Sequence, residues 1–106
     1  MSLPVLAELE AEQELQAAAL HYEEQRPGLG QRFLDAVAAA EELIRAFPKL
    51  GQKVPYVSPE IDARRVPVER FPYHVIYLET SSALWILAVA HDRREPGYWL
   101  ARREDR

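Results

Sequence analysis

Phe33, Val37, Ala40, Ile44 and Phe47 recur at spacings of four, three, four and three, the apolar stripe of a helix with one face on a core. Pro48 stands where such a helix must stop. Upstream, Leu15, Ala18, Ala19 and Tyr22 follow the i, i+3, i+4, i+7 rule, which predicts a helix from about Glu10 to Gln25 with glutamates at its positive end. Pro27-Gly28-Leu29-Gly30 separates the two, because proline disfavours helix at the residue before it and glycine admits turn geometries closed to other residues. So short a break predicts an antiparallel helical hairpin, with Ala17, Ala18, Ala36, Ala39 and Ala40 small enough for close approach.

Period-two patterning predicts the rest. A short first strand falls within Pro4 to Glu10, where Val5, Ala7 and Leu9 alternate with their neighbours. Pro48 to Pro59 holds three prolines and Gly51 and reads as an irregular surface connection. Arg64 to Glu69 alternates but carries Pro67, which donates nothing to a ladder and places this strand at an edge or a bulge. Tyr73 to Glu79 and Ala83 to Ala90, joined by Thr80-Ser81-Ser82, form a hairpin. Both are apolar at nearly every position, as in a central pair covered on both faces. The helical hairpin takes one face, and the Tyr98-Trp99 tail or a partner chain takes the other.

Size and composition narrow the class. The 106 residues form a single domain, residues 1–106, and 48% hydrophobic with 28% charged residues is the balance of a soluble globular protein. No apolar run approaches the roughly 20 residues a membrane helix needs, so no membrane partner is expected. Met1 to Pro4 lacks the basic flank and apolar stretch of a secretory signal, and the chain has no cysteine. A cytoplasmic location is the expectation. The net charge of −4 argues against indiscriminate nucleic-acid binding, and no sequence-specific DNA binding by the chain alone is expected. The charge is uneven: nine acids against three arginines leave −6 from Met1 to Phe47, whereas ten cations and eight acids leave +2 from Pro48 onward. An anion-facing surface therefore belongs to the C-terminal half.

The chemistry gathers there. Arg70 to Tyr77, Ala88 to Arg94 and Pro96 to Trp99 place arginines, a histidine and a tyrosine at the ends of β-prone runs, the arrangement of a site on the rim of a small sheet. Each residue also has a plainer role open to it. His91 caps the sheet through a backbone hydrogen bond, Arg93 and Arg94 pair with Asp92 and Glu95, and Tyr98 and Trp99 cover the core. Arg64 and Arg65 point to opposite faces of their strand, so at most one lines a given site. His21 and His74 have no ligand-like spacing; neither a metal nor a cofactor is expected.

The chain resembles the RelE/ParE superfamily of bacterial type II toxin–antitoxin toxins, in its ParE-like, plasmid-stabilisation branch. The likeness is carried by Ala11-Glu12-Gln13-Glu14-Leu15 with Ala18-Ala19 and Tyr22, by Arg26 to Gly30 leading to Phe33-Leu34, and by Phe47-Pro48. Arg64-Arg65, Phe71-Pro72-Tyr73, Val75-Ile76-Tyr77 and Val89 to Trp99 complete it. The resemblance implies an α+β fold of order β-α-α-β-β-β, a helical hairpin on a small, largely antiparallel four-stranded sheet, and neutralisation by a cognate antitoxin. It also implies two modes of poisoning: binding a target such as DNA gyrase without catalysis, or ribosome-dependent cleavage of mRNA. A third reading is a degenerate member that survives as a non-toxic partner-binding module.

RNA cleavage by attack of the ribose 2′-hydroxyl needs a base, a stabiliser of the phosphorane charge and an acid. His91, Arg94 and Tyr98 are the catalytic candidates in that case, and Arg64, Arg65, Arg93 and Arg94 are the candidates for holding a phosphate or a target. The acidic balance and the presence of only two lysines, Lys49 and Lys53, weaken long-range attraction to ribosomal RNA. Gyrase-type inhibition is therefore the leading expectation.

Overall fold

In a computed structural model, which describes residues 3–105, the chain runs β1 (Val5–Ala7), α1 (Leu9–Gln25), α2 (Leu29–Ala46), β2 (Gln52–Lys53), β3 (Ala63–Pro67), β4 (Tyr73–Glu79) and β5 (Leu84–His91) before a C-terminal 3₁₀ helix, Leu100–Asp105. Met1 and Ser2 of the expected leaderless start lie outside the described residues. The architecture is α+β, with the helical hairpin laid on one face of a sheet ordered β1-β5-β4-β3-β2. Only the β1–β5 pair is parallel. No helix among the described residues is long and apolar enough to cross a membrane.

The sheet has five strands rather than the expected four. The extra one is β2, whose Gln52 and Lys53 pair with Arg65 and Arg64 inside the stretch read as irregular. Two polar residues carry no periodicity, so their strand state is imposed by tertiary contacts. The Tyr77 hydroxyl donates to Pro48 O (2.7 Å) and accepts from Gly51 N–H (3.0 Å), while Arg64 donates to Gly51 O (2.8 Å). This anchor lays the following residues along β3. Because β2 reaches only Arg64 and Arg65, Pro67 meets no ladder on its outer side, as a residue without an N–H requires.

The α2 stripe buries Phe33, Val37, Ala40 and Ile44, each large side chain contributing about 1.5–3 kcal/mol. Phe47 departs from it and is 62% exposed. The helix ends at Ala46 and the Phe47 backbone turns to φ −137, ψ 80, which swings the side chain off the stripe. On α1, Ala11, Leu15, Ala18, Ala19 and Tyr22 pack onto the same core; Ala17 and Ala39 face solvent. The two helices approach closely at Gly30, where a Cβ would lie 2.5 Å from Ala19 O. The start of α2 has no hydroxyl or carboxamide cap of its own; the Glu23 carboxylate reaches over from α1 to accept from the Gly28 and Gly30 N–H groups at 3.0–3.1 Å.

A bulge sets both faces of the sheet. Ile76 pairs with Ala88 but Tyr77 with Ile86, leaving Leu87 as the extra residue. Leu84, Ile86 and Val89 consequently join the helical core, while Leu87, Ala88 and Ala90 join a second cluster with Ile76, Ala63 and Trp99. That second face is covered from within the chain, by Val54, Val57 and Ile61 of the connection and by Tyr98, Trp99 and Leu100 of the tail.

Gly30→Ala should cost about 1–3 kcal/mol by forcing the helices apart, whereas Gly28→Ala, at φ +89 with open space around it, should cost about 1 kcal/mol from backbone strain alone. Urea denaturation of the two variants tests the ranking, and a neutral Gly30→Ala would remove the close approach as a determinant of the hairpin.

Candidate functional site

β1 ends at Ala7 because the chain turns into α1 at Leu9, and its pairing with β5 spans Leu84 to Ile86, extended by Glu8 N–H donating to Ile86 O at 2.9 Å. Beyond it the outer edge of β5 has backbone groups that no strand among the described residues meets. Side chains take the strand's place. Glu14 of α1 accepts from Val89 N–H (3.1 Å), and Arg102 of the 3₁₀ helix donates to Leu87 O (2.9 Å). The same two residues form a two-pronged ion pair at 3.0 and 3.1 Å, and the Tyr98 hydroxyl donates to Glu14 at 2.7 Å. Glu14 and Arg102 are 17% and 15% exposed, so these charge-assisted bonds are sheltered from solvent screening.

On this clamp rests the rim. The register places Tyr73 opposite His91 and His74 opposite Ala90, so His91 lies on the helical face, its ring edge-on to Tyr73 at 5.0 Å. A pocket of about 200 Å³ opens at the end of β4 and β5, lined by Arg65, His74, His91, Asp92, Arg94 and Tyr98 among others. His74 Nδ1 and Asp92 Oδ1 are 2.7 Å apart. The Arg94 guanidinium lies 3.7 Å from the centre of the Tyr98 ring, a cation–π contact worth about 0.5–1 kcal/mol at an exposed site. Arg65 Nε is buried here with no hydrogen-bond partner. A shallower cleft of about 360 Å³ on the other side of His91 and Arg94 is lined by Glu14, Ala18, His21 and Tyr73.

Arg65, His91, Arg94 and Tyr98 thus share one pocket. Arg64 does not join them, because its side chain points to the opposite face and is bonded to Gly51 O. Arg93 is exposed outside the pocket. Asp92 pairs with His74 rather than with an arginine, and among the described residues no ion pair joins Arg93 or Arg94 to a carboxylate. No group of acids and histidines suited to a metal occurs among the described residues.

Two groups with proton-transfer chemistry are committed locally. His91 Nδ1 accepts from Arg93 N–H at 3.0 Å, so the neutral ring carries its proton on Nε2 and presents a donor there. Burial, together with the hydrogen bond to Glu14, pushes the Tyr98 phenol above its ordinary range, which makes it a weak acid. What remains at the rim is a set of guanidiniums able to hold a carboxylate or phosphate in a planar fork. Sequence reasoning gave none of Glu14, Arg102, His74 and Asp92 its structural role: Asp92 was paired with the arginines, His74 was weighed only as a metal ligand, and Glu14 entered only within the Ala11 to Leu15 segment that carries the family resemblance.

The sequence matches the family model described as ParE toxin of type II toxin-antitoxin system, parDE, over residues 5–96. The chain belongs to that family. Among solved structures it is similar to a chain of the chromosomal ParDE TA system from P. aeruginosa, with a TM-score of 0.71 and 17% identity over 84% of this chain and 95% of that one; at that identity the likeness speaks for the fold. No curated protein matches.

Glu14→Ala should destabilise the protein by about 3–5 kcal/mol, because it strands the Arg102 guanidinium, the Tyr98 hydroxyl and Val89 N–H at once. Chemical denaturation measures this, and a loss below about 0.5 kcal/mol would show that solvent replaces the clamp. Tyr98 also dictates a pH dependence. As pH rises the unfolded chain ionises this phenol first, so its contribution is complete below about pH 10 and is lost as pH climbs through the raised folded value. Tyr98→Phe should flatten the alkaline fall in stability only in part, since burial raises Tyr22, Tyr73 and Tyr77 as well. An alkaline slope identical to that of the parent would exclude Tyr98 from it.

Proposed function

We propose that this chain is the toxin of a bacterial type II toxin–antitoxin module of the plasmid-stabilisation kind, arresting growth in the cytoplasm by binding DNA gyrase without catalysing a reaction, and neutralised by a cognate antitoxin. Family membership supports the toxin role. The observation that carries the binding mode is the state of the rim. Arg65, Arg93 and Arg94 have no carboxylate partner among the described residues, whereas the Tyr98 hydroxyl is held by Glu14 and His91 Nδ1 by Arg93 N–H. Such a surface suits recognition of an anionic patch better than general acid–base chemistry, which needs groups free to exchange protons. The net charge of −4 points the same way, since it opposes docking into ribosomal RNA.

The purified chain is expected to inhibit DNA supercoiling by gyrase and to leave mRNA intact on translating ribosomes. Replacing Arg93 and Arg94 together by alanine should weaken inhibition at least ~10-fold while altering stability by no more than about 1 kcal/mol. Ribosome-dependent mRNA cleavage by the parent chain, lost in Arg94→Ala, would replace gyrase binding by the endoribonuclease mode.

A further inference from the structure

The rim pocket carries charges of both signs, and recognition of an anionic surface uses only one of them. Its floor is set by strand register. Arg65 of β3 lies opposite Ile76 of β4, and His74, two residues before Ile76, lies opposite Ala90 of β5. Residues so paired share a face, here the one that Trp99 covers. The connection after β2 adds Val54 and Tyr56 to the lining, and the segment after β5 adds Asp92, Arg94 and Glu95.

The charged groups fall into two sets. Arg65 Nε is buried with no hydrogen-bond partner among the described residues, and neither Arg65 nor Arg94 is ion-paired to a carboxylate there. Of the acids, Asp92 has Oδ1 on His74 at 2.7 Å, whereas Glu95 enters no ion pair among the described residues. A ligand that matches both sets carries a carboxylate and an ammonium. Ile76, Ala90, Trp99 and Val54 make much of the remaining lining apolar, which suits an uncharged side chain between the two. Size narrows the class further: about 200 Å³ lies below the roughly 300–1,000 Å³ of sites that enclose drug-sized ligands, too little for a nucleotide. A phosphate dianion would also face Asp92 and Glu95. Because β3, β4 and β5 are already paired with one another along the floor, an extended peptide finds no ladder to join there.

We propose that this pocket binds a free α-amino acid with an apolar side chain. Arg65 and Arg94 hold its carboxylate, Glu95 and Asp92 hold its ammonium, and its side chain lies against Ile76, Ala90 and Trp99. Guanidinium supplies the planar fork that a carboxylate accepts. The assignment goes beyond the toxin reading and stands whatever target the rim engages.

The test titrates the full-length chain with L-phenylalanine and L-leucine, followed by calorimetry and tryptophan fluorescence, beside D-phenylalanine, 3-phenylpropionate, phenethylamine and inorganic phosphate. At least one of the two L-amino acids is expected to bind with a Kd of ~1 mM or below. Phenylpropionate lacks the ammonium and phenethylamine lacks the carboxylate, so each should bind at least ~10-fold more weakly than L-phenylalanine, because each leaves a charged set of the pocket unmatched. Three points of attachment should also separate the two enantiomers. Glu95→Gln, on an exposed turn, should weaken the amino acid at least ~10-fold and leave phenylpropionate unchanged, whereas Arg65→Met should weaken both. The Glu95 variant and the ligand series decide the matter even where Arg65→Met does not fold, and supercoiling inhibition by the parent chain reports on the toxin reading separately. Failure of both L-amino acids to bind at ~10 mM, equal affinity for phenylpropionate or for the two enantiomers, or displacement of the amino acid by a lower concentration of phosphate would each overturn the proposal.

Discussion

The Glu14 carboxylate holds together elements that secondary structure alone would leave apart. β1 spans three residues and β5 eight, so the far half of β5 would carry an open edge into a region also covered by α1 and the tail. Unpaired backbone groups in such a place cost about 1–3 kcal/mol each. Glu14 from α1 and Arg102 from the 3₁₀ helix satisfy Val89 N–H and Leu87 O and neutralise each other in doing so. One charge pair thereby fastens the first helix, β5 and the C-terminal segment, and it falls beside the bulge at Leu87, where the strand changes which residues face each side.

The rim inherits its geometry from that clamp. Tyr98 is fixed by its hydroxyl on Glu14, and Arg94 is fixed in turn by stacking on the Tyr98 ring. Trp99, next in sequence, is buried in the second cluster. A binding surface built on a turn usually loses entropy on engagement; here two aromatic anchors reduce that loss before any partner arrives. The arrangement also spends the phenol on structure, which ties the choice between binding and catalysis to the same hydrogen bond that stabilises the fold.

Much of the framework was legible because its signals are local. The stripes of α1 and α2, the break at Pro27 to Gly30 and the Thr80 to Ser82 turn each follow from residues a few positions apart, and both helices and β3 to β5 fall within a residue or two of their expected ends, whereas β1 stops at Ala7, short of the expected Glu10. What sequence could not show depends on contacts between distant segments. Gln52 and Lys53 become a strand only because Tyr77 and Arg64 pin the loop before them, and Phe47 leaves its stripe because the helix ends one residue earlier. At the rim, the opposite facing of Arg64 and Arg65 followed from strand alternation. The roles of Glu14 and Arg102 did not, since the resemblance that includes Glu14 assigns it no contact, and a glutamate on a helix rich in glutamates shows no structural role until a partner 88 residues away is placed beside it.

A net charge of −4 conceals two positively charged surfaces, and the fold explains how they coexist with an acidic chain. At physiological ionic strength charges are screened beyond about 8 Å, so a docked partner makes its contacts with the local set of unpaired groups, while the negative sum acts on the approach of a large polyanion. Two of the glutamates that make the N-terminal half acidic are consumed internally: Glu14 by Arg102 and Tyr98, Glu23 by the first N–H groups of α2. Among the described residues, Arg65, Arg93 and Arg94 at the rim and Arg26 and Arg32 beside α2 have no carboxylate partner, and the pair of Arg70 with Glu69, 3.9 Å between two exposed side chains, is worth little. Internal use of carboxylates, more than an excess of cations, is what leaves these guanidiniums available for binding.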